Sequence, residues 1–298
     1  MGLSVPEAGK PSIYSINIEL LRFYGYLGFW ITVIMGIFLT RVFSDKPADD
    51  ETILYKVFGF NNICVNFDYA PSTYVLPAFW ACTLIVWMFY FAAVFLRLNA
   101  SVAAGHLDKN SYRWIRFFYF FTACSFTYFS MIFAIVPEIR NIVVNNTIVG
   151  NDGGYNNHIY IHTTPFFCLQ IAVFFLALGG VMDGLRSGYW DHLDVPRWFY
   201  PGAYVYLVCL AITVCFKIPY ALNAMQGPPG TGDRWWENTP TLDSIGAFFD
   251  STFLFLGAFL PLMKTVYLLW FKSDKLDRLH LTTAHHDHQW GVVNAMKK

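Results

Sequence analysis

The chain has 298 residues, 56% of them hydrophobic and only 13% charged, and its formal net charge is zero. A soluble domain is normally roughly 25% charged, so one polytopic membrane domain is expected rather than two soluble ones. A balanced charge also supplies no global field to draw nucleic acid or an anionic substrate.

The start, MGLSVPEAGKPSIYSINIEL, lacks the basic cluster and short apolar core of a cleavable signal. It also lacks the Ser or Thr of a myristoylation signal, with Pro6 at the sixth position. The first apolar segment is therefore expected to direct insertion by itself. A helix needs roughly 20 apolar residues to cross the hydrocarbon. Six segments meet that length, near 23–43, 75–96, 114–136, 164–185, 201–224 and 245–271. Backbone groups cannot go unpaired in lipid, and these runs do not alternate with period two. An all-α, polytopic transmembrane bundle of about six spans is expected rather than a β-barrel.

Lys and Arg set the orientation. The N-terminal tail, 98–113, 186–200 and the C-terminal tail, with their span ends, carry thirteen of them. The opposite side carries Arg41, Lys46, Lys56, Arg140 and Arg234. Both termini are thus expected on the cytoplasmic side, or the matrix side of a mitochondrial inner membrane. The loops 44–74, 137–163 and 225–244 fall outside. Cys64 lies in the first of these, whereas Cys82, Cys124, Cys168, Cys209 and Cys215 lie within apolar segments, so no disulfide framework is encoded.

Beyond span three, Glu138 and Arg140 read as residues at the headgroup level, as do Asp183 and Arg186 at the inner end of span four. Asn145-Asn146-Thr147 is a glycosylation sequon on the outer side, consistent with an endomembrane or plasma membrane. Asn99-Ala100-Ser101 matches as well but falls inside. His158 and His162 are spaced i, i+4, which on a helix can chelate a metal. The glutamate of a metalloprotease motif is replaced by Ile159, and an interfacial strand is the other reading of these residues. No histidine falls within a span, which argues against a bis-histidine haem protein.

Lys217 in span five and Asp250 in span six lie at similar depth on antiparallel neighbours, each seven residues from the outer boundary. Unpaired charges there cost several kcal/mol, so the two are expected to pair. The alternatives are a structural ion pair or a lysine snorkelling outward, and a polar pocket for an ion, proton or lipid headgroup. Between them, Gly227–Gly232 resembles a phosphate loop, but Asp233 and Arg234 stand where Lys and Ser/Thr are needed, so no nucleotide is expected. The last 27 residues, 272–298, form a polar tail, in which His285, His286 and His288 are candidate metal ligands beside His280.

Several landmarks together resemble the six-span DRAM/Sfk-type membrane proteins. Asp68 and Pro71 precede span two, His162 precedes span four, and Asp250 lies early in span six. That family usually carries Glu at the last position, and its outer loops are shorter. The resemblance implies a role in membrane or lipid handling rather than a catalytic centre.

The expectation is therefore a non-enzymatic integral membrane protein that handles lipid or scaffolds other membrane proteins, with lipids and other membrane proteins as partners. Two alternatives stand beside it: an accessory subunit of a large, possibly respiratory, complex, and a transporter or channel built on Lys217 and Asp250. An enzyme with an outer-face metal has the least in its favour. No cofactor is identified beyond bound lipid.

Overall fold

The computed structural model describes residues 13–44, 63–68, 70–133, 142–144, 147–149, 154–224, 240–274, 276, 278–282 and 291–293. These residues are overwhelmingly helical, with two small sheets. In chain order they form β1 (Ile13–Asn17), α1 (Ile18–Phe43), the short α2 (Val65–Asp68), α3 (Ser72–Ala103) and α4 (Lys109–Phe129). A 3-10 turn, Ser130–Phe133, extends α4 and is followed by the hairpin of β2 (Ile142–Val144) and β3 (Thr147–Val149). Next come α5 (Gly154–Arg186), α6 (Tyr189–His192), α7 (Phe199–Ala224), α8 (Pro240–Leu254), a π turn (Phe255–Phe259) and α9 (Leu260–Phe271). The chain finishes in β4 (Arg278–Thr282) and β5 (Gly291–Val293).

Among the described residues, six helical segments are long and apolar enough to cross a membrane: Ile18–Phe43, Ser72–Ala103, Lys109–Phe133, Thr164–Arg186, Phe199–Tyr220 and Asp243–Phe271. This architecture is compatible with an integral membrane protein. Each overlaps one expected span, and most run past the apolar window into polar sequence. The added turns have local causes. Asn17 caps α1 by accepting from the Leu20 N–H. Asp108 caps α4 by accepting from the Asn110 and Ser111 N–H groups. The bonds from Ser111 hold the Asp108 carboxyl below its usual range.

Lipid offers no hydrophobic drive between helices, so packing rests on close approach and hydrogen bonds. Gly25 of α1 faces the indole of Trp87 on α3, and a Cβ there would lie 2.8 Å from the ring. Trp87 in turn meets Tyr26 edge-on at 4.9 Å and Phe126 at 5.2 Å, placing an aromatic core at the centre of α1, α3 and α4. Towards the other end, Thr40 Oγ1 donates to the Asn66 carbonyl at 2.8 Å, and Ser72 Oγ donates to the Gly36 carbonyl at 3.2 Å. These bonds staple α1, α2 and α3, and Cys64 is buried beside them. Thr122 Oγ1 crosses from α4 to the Ala172 carbonyl of α5 at 3.1 Å.

The residues near the two ends of the chain pair with one another. β1 runs antiparallel to β4, with Ile13 opposite Thr282 and Asn17 opposite Arg278, and β5 adds to the far edge of β4. The polar segment 272–298 thus contributes strands to a three-stranded sheet. This places the start of α1 and the end of α9 side by side.

Candidate functional site

Lys217 of α7 and Asp250 of α8 form an ion pair, with Lys217 buried and Asp250 mostly so. It belongs to a ladder along the α7–α8 seam. Towards the 224–240 connection, Tyr220 Oη donates to Asp243 Oδ1 at 2.8 Å, and next to the ion pair Phe216 packs on Phe249 with ring centres 4.5 Å apart. The ladder holds two consecutive helices together, and none of its members lines the large cavity of the molecule.

That cavity lies at the opposite end of the bundle and has a volume of about 430 Å³. Sites for small organic ligands typically measure roughly 300–1,000 Å³. Its walls come from α1, α3, α4, α5, α6, α7 and α9, and they are mainly aromatic and aliphatic. Two cations, Arg22 and Lys264, line it together with Tyr26, Tyr90, Tyr119 and Tyr206. Among the described residues, no carboxylate does.

The polar side is built from five helices. In α1, Arg22 pairs with Glu19 one turn earlier, and its Nε donates to Thr265 Oγ1 of α9 at 2.8 Å. In α3, buried Arg97 pairs with buried Asp183 of α5. Tyr189, at the start of α6, joins the two pairs. Its hydroxyl reaches Glu19 Oε1 at 3.4 Å, and its ring lies 4.6 Å beneath the Arg97 guanidinium. Lys264 faces the rings of Trp190 at 5.2 Å and Phe199 at 5.7 Å. Among the described residues, Lys264 has no carboxylate partner.

Backbone features hold this wall. Gly184 lets Trp190 close over α5, since a Cβ there would lie 2.1 Å from the indole Nε1. Gly188 turns the chain into α6 with φ +68°. On the other wall the π turn ends beside Pro261, which lacks an N–H. In a π pattern the Leu256 carbonyl would bond the residue five positions on, which is Pro261. Tyr206 Oη donates to that carbonyl instead, at 3.0 Å, tying α7 to the last spanning segment.

The cavity is partly open. Trp198, Gly202, Leu260, Met263 and Tyr267 line it and are also exposed, between the start of α7 and α9.

The other expected sites are more scattered. His158 and His162 lie on the opening turns of α5, so the backbone there is helical rather than a strand; their side chains fall outside the described part. Asn145, Glu138, Arg140, the 225–234 loop, His285, His286 and His288 lie outside the described residues. Among the described residues, no cluster of three or more His, Cys, Asp and Glu side chains could hold a metal. Asp183 is buried and pairs with Arg97, whereas Arg186 is exposed. Sequence reading missed Lys264 altogether, although a lysine inside an apolar span is itself a signal.

Comparison with protein-family models, curated proteins and solved structures finds no match, so the likeness to DRAM/Sfk-type proteins rests on its landmark residues alone.

Proposed function

We propose that the chain is a six-span integral membrane protein that handles lipid, holding an amphiphile in the cavity between α1, α7 and α9. One observation carries this reading: a mainly apolar cavity of about 430 Å³ with exposed residues of two helices, α7 and α9, at its gap. A soluble substrate would need a path from water, whereas a lipid chain enters through such a gap directly. The exposed Trp198 and Tyr267 at its rim suit the aromatic belt of a membrane interface. Transport through Lys217 and Asp250 has less support, because neither residue lines the cavity.

Gly202 provides the test. It lines the cavity, is exposed, and a Cβ there would meet nothing within 4 Å. Gly202→Leu should therefore fold, and it should even gain a few tenths of a kcal/mol in helix propensity. Its isobutyl group would fill the gap, so native mass spectrometry should show severalfold less lipid retained than in the wild type. Equal retention would end the reading.

The orientation follows from the thirteen Lys and Arg on one side and five on the other. It puts the cavity, the β1–β4 sheet and both termini on the cytoplasmic or matrix side. Tags at both ends should resist external protease in intact cells or organelles and be cut after permeabilisation. Cleavage of either tag before permeabilisation would reverse the assignment.

A further inference from the structure

The charges around the cavity are uneven. Glu19 answers Arg22 and Asp183 answers Arg97, whereas Lys264 has aromatic faces and, among the described residues, no acid within ion-pair distance. Among the described residues the cluster thus holds three cations and two anions, and of these Arg22 and Lys264 face the mainly apolar cavity. A single excess charge in low dielectric costs free energy until a counter-charge arrives. Arg22 adds directed donors: its Nε and Nη2 are engaged by Thr265 and Glu19, and among the described residues its Nη1 makes no hydrogen bond. Arg22 and Lys264 both line the cavity, together with the phenols of Tyr26, Tyr90 and Tyr119.

We propose that the cavity selects an anionic amphiphile, a lipid whose phosphate or carboxylate sits between Lys264 and Arg22 while its chain leaves through the gap between α7 and α9. This rests on the lipid-handling reading and adds the head-group chemistry. A zwitterionic head would bring its own cation against Lys264 and leave the excess charge in place. An anionic head neutralises the cluster and accepts from both cations. Gly202 and the exposed Leu260 and Met263 then border the emerging chain.

The test uses the full chain in nanodiscs made from equal parts phosphatidylcholine and phosphatidylglycerol. Lipids retained after gentle extraction are counted by native mass spectrometry. The wild type should retain phosphatidylglycerol in about tenfold excess or more, the effect of one charge-assisted hydrogen bond. Lys264→Met should bring the ratio back to that of the bilayer, and Lys264→Arg should keep the excess. Lys109→Met, which removes an exposed lysine at the same end of the bundle, should leave the ratio unchanged and so exclude general surface attraction. Should Lys264→Met fail to fold, the wild-type ratio alone decides. Lipid retained at the bilayer ratio overturns the anionic selection and leaves the lipid-handling reading standing. No retained lipid, or no effect of Gly202→Leu, removes that reading and this inference with it. Inorganic phosphate that binds the lipid-stripped chain as tightly as phosphatidylglycerol does would replace the amphiphile with a free anion and overturn the assignment.

Discussion

Asp183→Leu is expected to destabilise the fold by about 3–5 kcal/mol, the usual cost of stranding one member of a buried ion pair. Arg97 and Asp183 are both buried, and they join α3 to the end of α5. Without Asp183 the guanidinium keeps the face of Tyr189 but loses its counter-charge. A cation–π contact contributes only about 0.5–2 kcal/mol, so it cannot replace the carboxylate. Water that reaches the helix ends relieves part of the cost, which sets the lower end of the range. Arg97→Lys is not conservative here, because an ammonium cannot stack on Tyr189 as the planar guanidinium does. Removing both partners with apolar residues should recover much of the loss. Arg116→Ala provides the control, since Arg116 is exposed and, among the described residues, reaches only Tyr112. The measurement is equilibrium unfolding in detergent or nanodiscs. If Asp183→Leu unfolds like the wild type, the pair does not hold α3 to α5.

Particular residues show why the spanning segments could be read from the chain and the cavity could not. An apolar run of sufficient length has one stable solution in a bilayer, so all six segments emerge from local composition. Their ends depend on capping and on contacts with other helices. The apolar window of span two stops short of Arg97, yet α3 continues to Ala103. What keeps Arg97 within the helix packing is Asp183, 86 residues away. No local pattern encodes that separation. Glu19 has the same history: it precedes the first apolar window, but α1 begins at Ile18 and buries it. Lys264 could have been noticed as a charge within span six, but its lack of an acid partner is a property of the assembled bundle. The π turn at Phe255–Phe259 likewise becomes meaningful only once Tyr206 is seen to donate to Leu256. Lys217 and Asp250 were readable for the opposite reason. They lie on helices joined by a single loop, so their depths could be matched from sequence distance alone.

Lys217→Met and Asp250→Asn should each lower thermal stability, and the double variant should recover most of the loss. The pair lies on the α7–α8 seam, with Lys217 almost wholly enclosed and Asp250 slightly less so. Asp250→Asn leaves the ammonium without its counter-ion, at a cost of up to about 3–5 kcal/mol. Lys217→Met strands a carboxylate that retains more access to solvent or headgroups, so its cost should be the smaller of the two. The neighbouring Tyr220–Asp243 bond and the Phe216–Phe249 contact do not depend on the charges. They should hold the helices in register, so the variants lose stability without losing the fold. Coupling within such a pair commonly amounts to about 0.5–3 kcal/mol in a double-mutant cycle. Additive losses would mean that the two residues act independently. The same variants separate clamp from conduit. A clamp predicts that the double variant regains stability and retains lipid as the wild type does, because neither residue lines the cavity. If stability returns while lipid retention or ion flux in proteoliposomes remains lost, the pair serves transport, and the seam between α7 and α8 becomes the site to pursue.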